Sequence, residues 1–98
     1  MAVYVDPAVH PYGRMVMSHC WADSDEELHL FVARLGVARR WHQLPPKASW
    51  SHYDICKSKR ALAVKLGAEQ TDRYGPLLHV ARLEGNQKMI DLVERRQS

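Results

Sequence analysis

Ninety-eight residues with 46% hydrophobic and 26% charged side chains give enough chain for one hydrophobic core and too little for two, so a single compact domain over residues 1–98 is expected. No apolar run approaches the roughly 20 residues of a membrane helix, and Met1–Asp6 lacks the basic and apolar regions of a secretion signal, which points to a soluble, cytoplasmic protein with no membrane contact. The net charge of +3 permits phosphorylated partners without the dense basic stripe of a dedicated nucleic-acid module.

In chain order, Val3-Tyr4-Val5 reads as a first strand ending at Asp6, and Pro7, His10, Pro11 and Gly13 as the loop that follows. Met15–Ala22 reads as a second strand, with Met15, Met17, His19 and Trp21 on one face and Val16, Ser18, Cys20 and Ala22 on the other. Neither face is strongly polar, so the strand is expected to be central in a small sheet and covered on both sides. Asp23 with Glu26, and Ser24 with Glu27, both have capping-box spacing, and Leu28, Phe31, Val32 and Leu35 then form one helical stripe that Gly36 stops.

Val37–Gln43 reads as a third short strand or an irregular segment, and Leu44–Ser51, with Pro45-Pro46, as a loop carrying Trp50. Asp54 is expected to cap a central helix that runs to Gly67. Gly75-Pro76 opens a further helix that Gly85 ends, and Asn86 caps a last helix over about residues 86–97. The fold class expected is therefore α/β, with α+β as the alternative: a sheet of two or three strands packed by about four helices. The apolar side of the last helix, Met89, Ile90 and Val93, offers a homodimer contact.

The central helix carries the first functional reading. Lys57, Lys59 and Arg60 in its first turn oppose the helix dipole, and each such cation forgoes about 0.3–1 kcal/mol unless it is solvated, paired or facing an anion. A phosphate would satisfy that field, with Lys59 and Arg60 as clamps, Ser58 and the free backbone N–H groups as donors, and His52, Asp54 and Trp50 beside it. The alternative is a solvated basic turn balanced by neighbouring acids. Cations mixed with rings at Arg39, Arg40, Trp41, His42, Lys47 and Trp50 also suit phosphate gripping and base stacking, or simply a core sealed by tryptophans.

A second constellation lies at the element ends. Asp6, His19 and Asp23, with His52 and Asp54, offer carboxylate and imidazole donors for a divalent metal, whose bound water would attack a phosphate ester; no pair has the local spacing of a known metal motif. Covalent catalysis by Cys56 or Ser58 with the His52–Asp54 pair lacks an oxyanion element or a glycine elbow. Cys20 and Cys56 have no structural-zinc spacing, and a reduced setting is the simplest reading.

Val3-Tyr4-Val5-Asp6, the strand ending in His19–Asp23 with Glu26-Glu27-Leu28-His29, and His52-Tyr53-Asp54 followed by Lys59-Arg60-Ala61 and Gly67-Ala68 together resemble the family of small bacterial and phage proteins known as domain of unknown function 4031, over roughly residues 1–85. The resemblance implies a compact domain with a site at these blocks and carries over no catalytic residue. Three functions follow as expectations. The first is a module binding a phosphorylated small molecule, nucleotide or nucleic acid; the second a metal-dependent phosphoesterase or nuclease; the third a phage-type structural or inhibitory domain with a protein partner.

Overall fold

The strand Met15–Ala22, β3, is the one on which the rest of the sheet is assembled. In the computed structural model, which describes residues 2–97, Val3–Val5 (β1) pairs antiparallel with Cys20–Ala22 and His10–Tyr12 (β2) pairs antiparallel with Met15–Met17. Tyr53–Cys56 (β4) pairs antiparallel with Met17–Cys20. Met17 is partnered by both His10 and Cys56, and Cys20 by both Val5 and Tyr53. β1 and β2 therefore share one edge of β3, and β4 takes the other. Glu69–Gln70 (β5) runs parallel to β1, which makes a five-stranded mixed sheet.

Alternation along β3 sends Ser18, Cys20 and Ala22 to one face, all buried. Cys20 and Ala22 meet Val5, Tyr53 and Ile55 from the neighbouring strands and the Leu28, Phe31, Val32 and Leu35 stripe of α1 (Asp25–Arg34). Ala63 of α2 (Lys57–Lys65) and Ala68 complete this core. Each large aliphatic or aromatic side chain so covered contributes about 1.5–3 kcal/mol. The opposite face of the sheet is covered less completely, by the segment around Trp50 and by α3 (Gly75–Glu84), whose His79 ring lies 6.1 Å from Trp21 and 5.9 Å from Trp50. α4 (Gln87–Gln97) packs on α3.

Several expectations need correcting. The sheet has five strands rather than two or three. Residues 10–12, read as loop because of Pro11, form a hairpin arm joined to β3 through Gly13-Arg14. Gly13 there has φ 59°, the positive angle a two-residue hairpin turn requires at its first position. Of the two readings of Val37–Gln43 the irregular one holds: Arg39–Trp41 is a 3-10 turn, and Gln43 alone bridges to His52. Asp54 does not cap the central helix, because it lies inside β4 and Cys56 occupies the N-cap position without a side-chain cap bond.

The helix starts at Ser24, Gly75-Pro76 and Asn86 fall where expected, with Tyr74 as the cap of the second and Gly75 ahead of Pro76 in its first turn. Ser24 accepts the Glu27 N–H at 3.2 Å and Asn86 accepts the Met89 N–H at 3.1 Å. Of the two possible caps of α1, Ser24 takes the role, and Asp23 turns back to β1 instead. The stripe on α4 is not an open dimer face, since Val93 is 1% exposed and Met89 and Ile90 are half-buried. Among the described residues no helix is long and apolar enough to cross a membrane.

Candidate metal centre

The face of the sheet away from α1 and α2 carries the polar chemistry. Because β1 and β3 are antiparallel with Tyr4 opposite Trp21, Asp6 reaches the level of His19, and β3–β4 pairing sets His19 directly opposite Asp54. His52 lies two residues before Asp54 and therefore projects from the same face. Trp50 stacks on His52 with ring centroids 4.2 Å apart and meets Trp21 edge-on at 5.7 Å.

Asp6 is 1% exposed and fully engaged. Its Oδ1 accepts the His19 backbone N–H at 2.7 Å, and its Oδ2 lies 2.7 Å from His19 Nδ1 and 3.3 Å from His10 Nε2. Its own carbonyl accepts the Arg60 Nε–H at 2.7 Å, and Arg60 reaches on to Gln70 Oε1 at 3.3 Å. Burial alone would raise the Asp6 carboxyl, but the hydrogen bonds and charge of His19, with His10, outweigh it and hold the group below its ordinary value. The same Asp6 bond raises the His19 imidazole against the opposing effect of burial, with the charges of Asp6 and Asp54 adding to the rise.

Tautomers follow from the acceptors. A carboxylate and a carbonyl can only accept, so His19 Nδ1 must carry its proton toward Asp6, and His52 Nδ1, 3.0 Å from the Trp50 carbonyl, must carry its own. With Nδ1 protonated, Nε2 of a neutral ring carries the lone pair that a cation would take, whereas a proton on Nε2 would be donated to the carboxylate it faces. Both Nε2 atoms face the same oxygen: His52 Nε2 lies 3.4 Å and His19 Nε2 3.9 Å from Asp54 Oδ1. A hydrogen bond from His52 lowers the Asp54 carboxyl despite partial burial, with positive charge on His52, His19 and His10 adding wherever those rings are protonated, so this oxygen is anionic at neutral pH.

One donor atom from each of His19, His52 and Asp54 lies within 4.8 Å of the other two. Tetrahedral zinc with bonds of about 2.0–2.2 Å separates its ligand atoms by about 3.3–3.6 Å, so the 3.4 Å spacing fits and the 3.9 Å spacing needs only a small closure. Asp6, His10 and His19 form a second grouping of the same breadth. Its Asp6–His19 spacing of 2.7 Å is a hydrogen bond and too close for two ligands of one ion. Asp6 thus orients the His19 ring, and the residues that could hold an ion together are His19, His52 and Asp54.

The expected site residues divide accordingly. Asp6, His19, Trp50, His52 and Asp54 come together. Asp23 does not join them; it accepts the Ala2 N–H at 3.1 Å and the Tyr4 hydroxyl at 3.0 Å at the far end of β1. Ser58 is exposed and bonds Cys56 Sγ at 3.3 Å. Lys59 carries its ammonium to the end of α1, where a Cβ on Gly36 would come within 3.4 Å of it. That position, beside the carbonyl end of a neighbouring helix, gives its charge a structural partner. His10, expected in a loop, joins Asp6, with its ring centroid 4.3 Å from that of His19 and the two planes tilted; its alternation with Tyr12 ahead of the Gly13-Arg14 turn was the available signal.

A family model described as a protein of unknown function, DUF4031, matches residues 3–83, and the chain belongs to that family. The match takes in every residue of the cluster and stops before α4. No curated protein and no solved structure matches the chain significantly.

Proposed function

We propose that this member of the DUF4031 family is a divalent-metal-dependent phosphoesterase whose ion is held by His19 Nε2, His52 Nε2 and Asp54. The observation that supports it most is the convergence of two tautomer-fixed imidazoles on one carboxylate oxygen. Histidine ligands regularly donate their second N–H to a carboxylate or a backbone carbonyl, and here Asp6 and the Trp50 carbonyl are those two acceptors. Two imidazoles and one carboxylate suit zinc, manganese or iron(II), and three protein ligands leave a position open, as in catalytic rather than structural sites.

When bound, such an ion would polarise a phosphoryl oxygen and lower the pKa of a coordinated water. The chain's own residues supply the rest. Asp6 and Trp50 fix the two rings, and Asp54 adds a negative charge that favours a cation. A phosphate ester as substrate fits the +3 chain. The anion clamp expected at Lys59 and Arg60 has less geometric support, because Arg60 is bonded to the Asp6 carbonyl and Gln70.

The test is a competition titration of Zn²⁺, Mn²⁺ and Fe²⁺ against a chromophoric chelator, followed by hydrolysis of an aryl phosphodiester with each ion. Wild type should bind one ion and hydrolyse the ester, and Asp54→Ala, at a half-exposed position, should remain folded and do neither. Binding unchanged in Asp54→Ala, or no binding by wild type, would end the proposal. Binding and hydrolysis that survive Asp54→Ala but vanish in Lys59→Ala/Arg60→Ala would move the site to the helix start.

A further inference from the structure

A groove of about 390 Å³ opens beside the cluster and has His19 and Asp54 in its lining. Its other walls are unlike a phosphate site. Met15, Met17 and Val37 line it, and two large rings flank it, Tyr12 at 69% and Trp41 at 55% exposure, with the Arg40 guanidinium 5.2 Å from the Trp41 ring centroid. Gln43 adds one polar group. Its backbone makes both bonds of a bridge to His52, at 2.9 Å each, while its side-chain amide has no hydrogen-bond partner among the described residues.

Exposed aromatic rings cost a folded protein contact with water that apolar groups avoid, and a pair of them on one groove suits a flat apolar partner. A free amide beside them offers a donor and an acceptor in one plane, the complement of a base edge. The volume falls in the range of small-ligand sites, about 300–1,000 Å³, and accommodates one base with its sugar. Through Gln43 the wall is also tied to His52 itself.

From these residues we infer that the groove receives the base of a nucleotide substrate, stacked against Trp41 and Tyr12 and read at its edge by Gln43, so that its phosphate falls at His19, His52 and Asp54. The inference rests on the metal-centre reading for the position of the phosphate, and on the groove alone for the base. It names the substrate class as nucleoside phosphates or a nucleic-acid end, in preference to sugar phosphates.

Isothermal titration of the full chain, with and without Zn²⁺, against the four nucleoside 5′-monophosphates, adenosine, ribose 5-phosphate and inorganic phosphate tests it. Nucleotides should bind at least about tenfold tighter than ribose 5-phosphate. Trp41→Ala and Tyr12→Ala should each weaken nucleotides by about 5- to 150-fold, the fold-change equivalent of about 1–3 kcal/mol of base stacking. Ribose 5-phosphate should be unaffected. Gln43→Leu should compress the differences among the four bases. All three positions lie at the surface or its edge, and unchanged melting temperatures will show that the fold is kept.

Equal affinity for nucleotides and ribose 5-phosphate, or nucleotide binding indifferent to all three variants, overturns the inference even where Zn²⁺ binds. Failure of the metal reading looks different: no Zn²⁺ uptake by wild type, while adenosine still binds and is lost in Trp41→Ala, which supports the base site by itself.

Discussion

On the proposed metal reading, Asp6 is no ligand, and its replacement by Asn should still reduce metal affinity. Asp6 receives three donors, the His19 backbone N–H, His19 Nδ1 and His10 Nε2, and at 1% exposure no water can substitute for it. Asn has one acceptor oxygen where Asp has two. If that oxygen keeps the backbone N–H, the amide NH₂ is left facing His19 Nδ1, donor against donor. The ring escapes only by moving its proton to Nε2, which then points an N–H at the ion's place.

Loss of such an orienting partner costs about 10- to 100-fold in metal affinity, or about 1.4–2.7 kcal/mol. Loss of a charged acceptor in the interior costs a further 1.5–3 kcal/mol of folding stability, roughly. Two assays separate these effects: chelator competition for the dissociation constant, and ¹⁵N NMR of the imidazoles, recorded above their titration, for the tautomer. Wild-type His19 should be protonated at Nδ1 and the variant at Nε2. An Asp6→Asn protein that binds Zn²⁺ as tightly as wild type, or keeps the Nδ1–H tautomer, would refute the reasoning.

The rest of the molecule makes its own predictions. Burial pushes the Cys20 thiol up to about 12, with the Asp6 charge adding, whereas the Ser58 hydroxyl and the Lys59 N–H lower Cys56 at the start of α2; a thiol reagent at neutral pH should therefore label Cys56 alone until the chain is denatured. Equal labelling of both in the folded protein would contradict the packing. Burial depresses His79, with Asp23 opposing and Arg82 adding. The unfolded chain therefore takes up this proton first, and stability falls as pH drops below the ordinary value of 6.5, down to the folded value. Melting curves of His79→Gln should lose that component on acidification, and a difference between the two proteins that does not change with pH would count against it. Gly75→Ala would drive a Cβ into the Thr71 side chain and to 3.0 Å from the Trp21 ring, and denaturant unfolding should show a stability lowered by about 1–3 kcal/mol for such overpacking.

What could be read from the sequence follows the strength of its periodic signals. The eight residues of β3 and the Leu28–Leu35 stripe of α1 sit in long alternating or helical patterns, and both the faces and the capping residue came out as expected. β4 is four residues long and runs into α2 with no turn residue between them, so Asp54 had the look of a cap. β5 is two exposed polar residues, held in place by backbone bonds such as Thr71 N–H to the Val5 carbonyl at 2.8 Å. No side-chain pattern encodes a strand of that kind. Asp6, His19, His52 and Asp54 were identifiable as residue types at element ends. Their grouping depended on the β3–β4 register, which carried no sequence signature.

That register also bears on why the cluster is present at all. A sheet face needs apolar groups to pack on what covers it, and taking a carboxylate such as Asp6 out of water costs several kcal/mol before its bonds return part of it. Apolar side chains at 6, 19 and 52 would fill the same space against Trp21, Trp50 and His79 without that cost. The core face shows the fold building such a surface, from Val5, Cys20, Tyr53 and Ile55. The other face instead holds ionised and tautomer-fixed groups, each oriented by a named partner, next to a groove walled by exposed rings. Departures from the stable choice concentrate where a protein has chemistry to perform, and among the described residues the greatest such departure is at Asp6, His19 and His52.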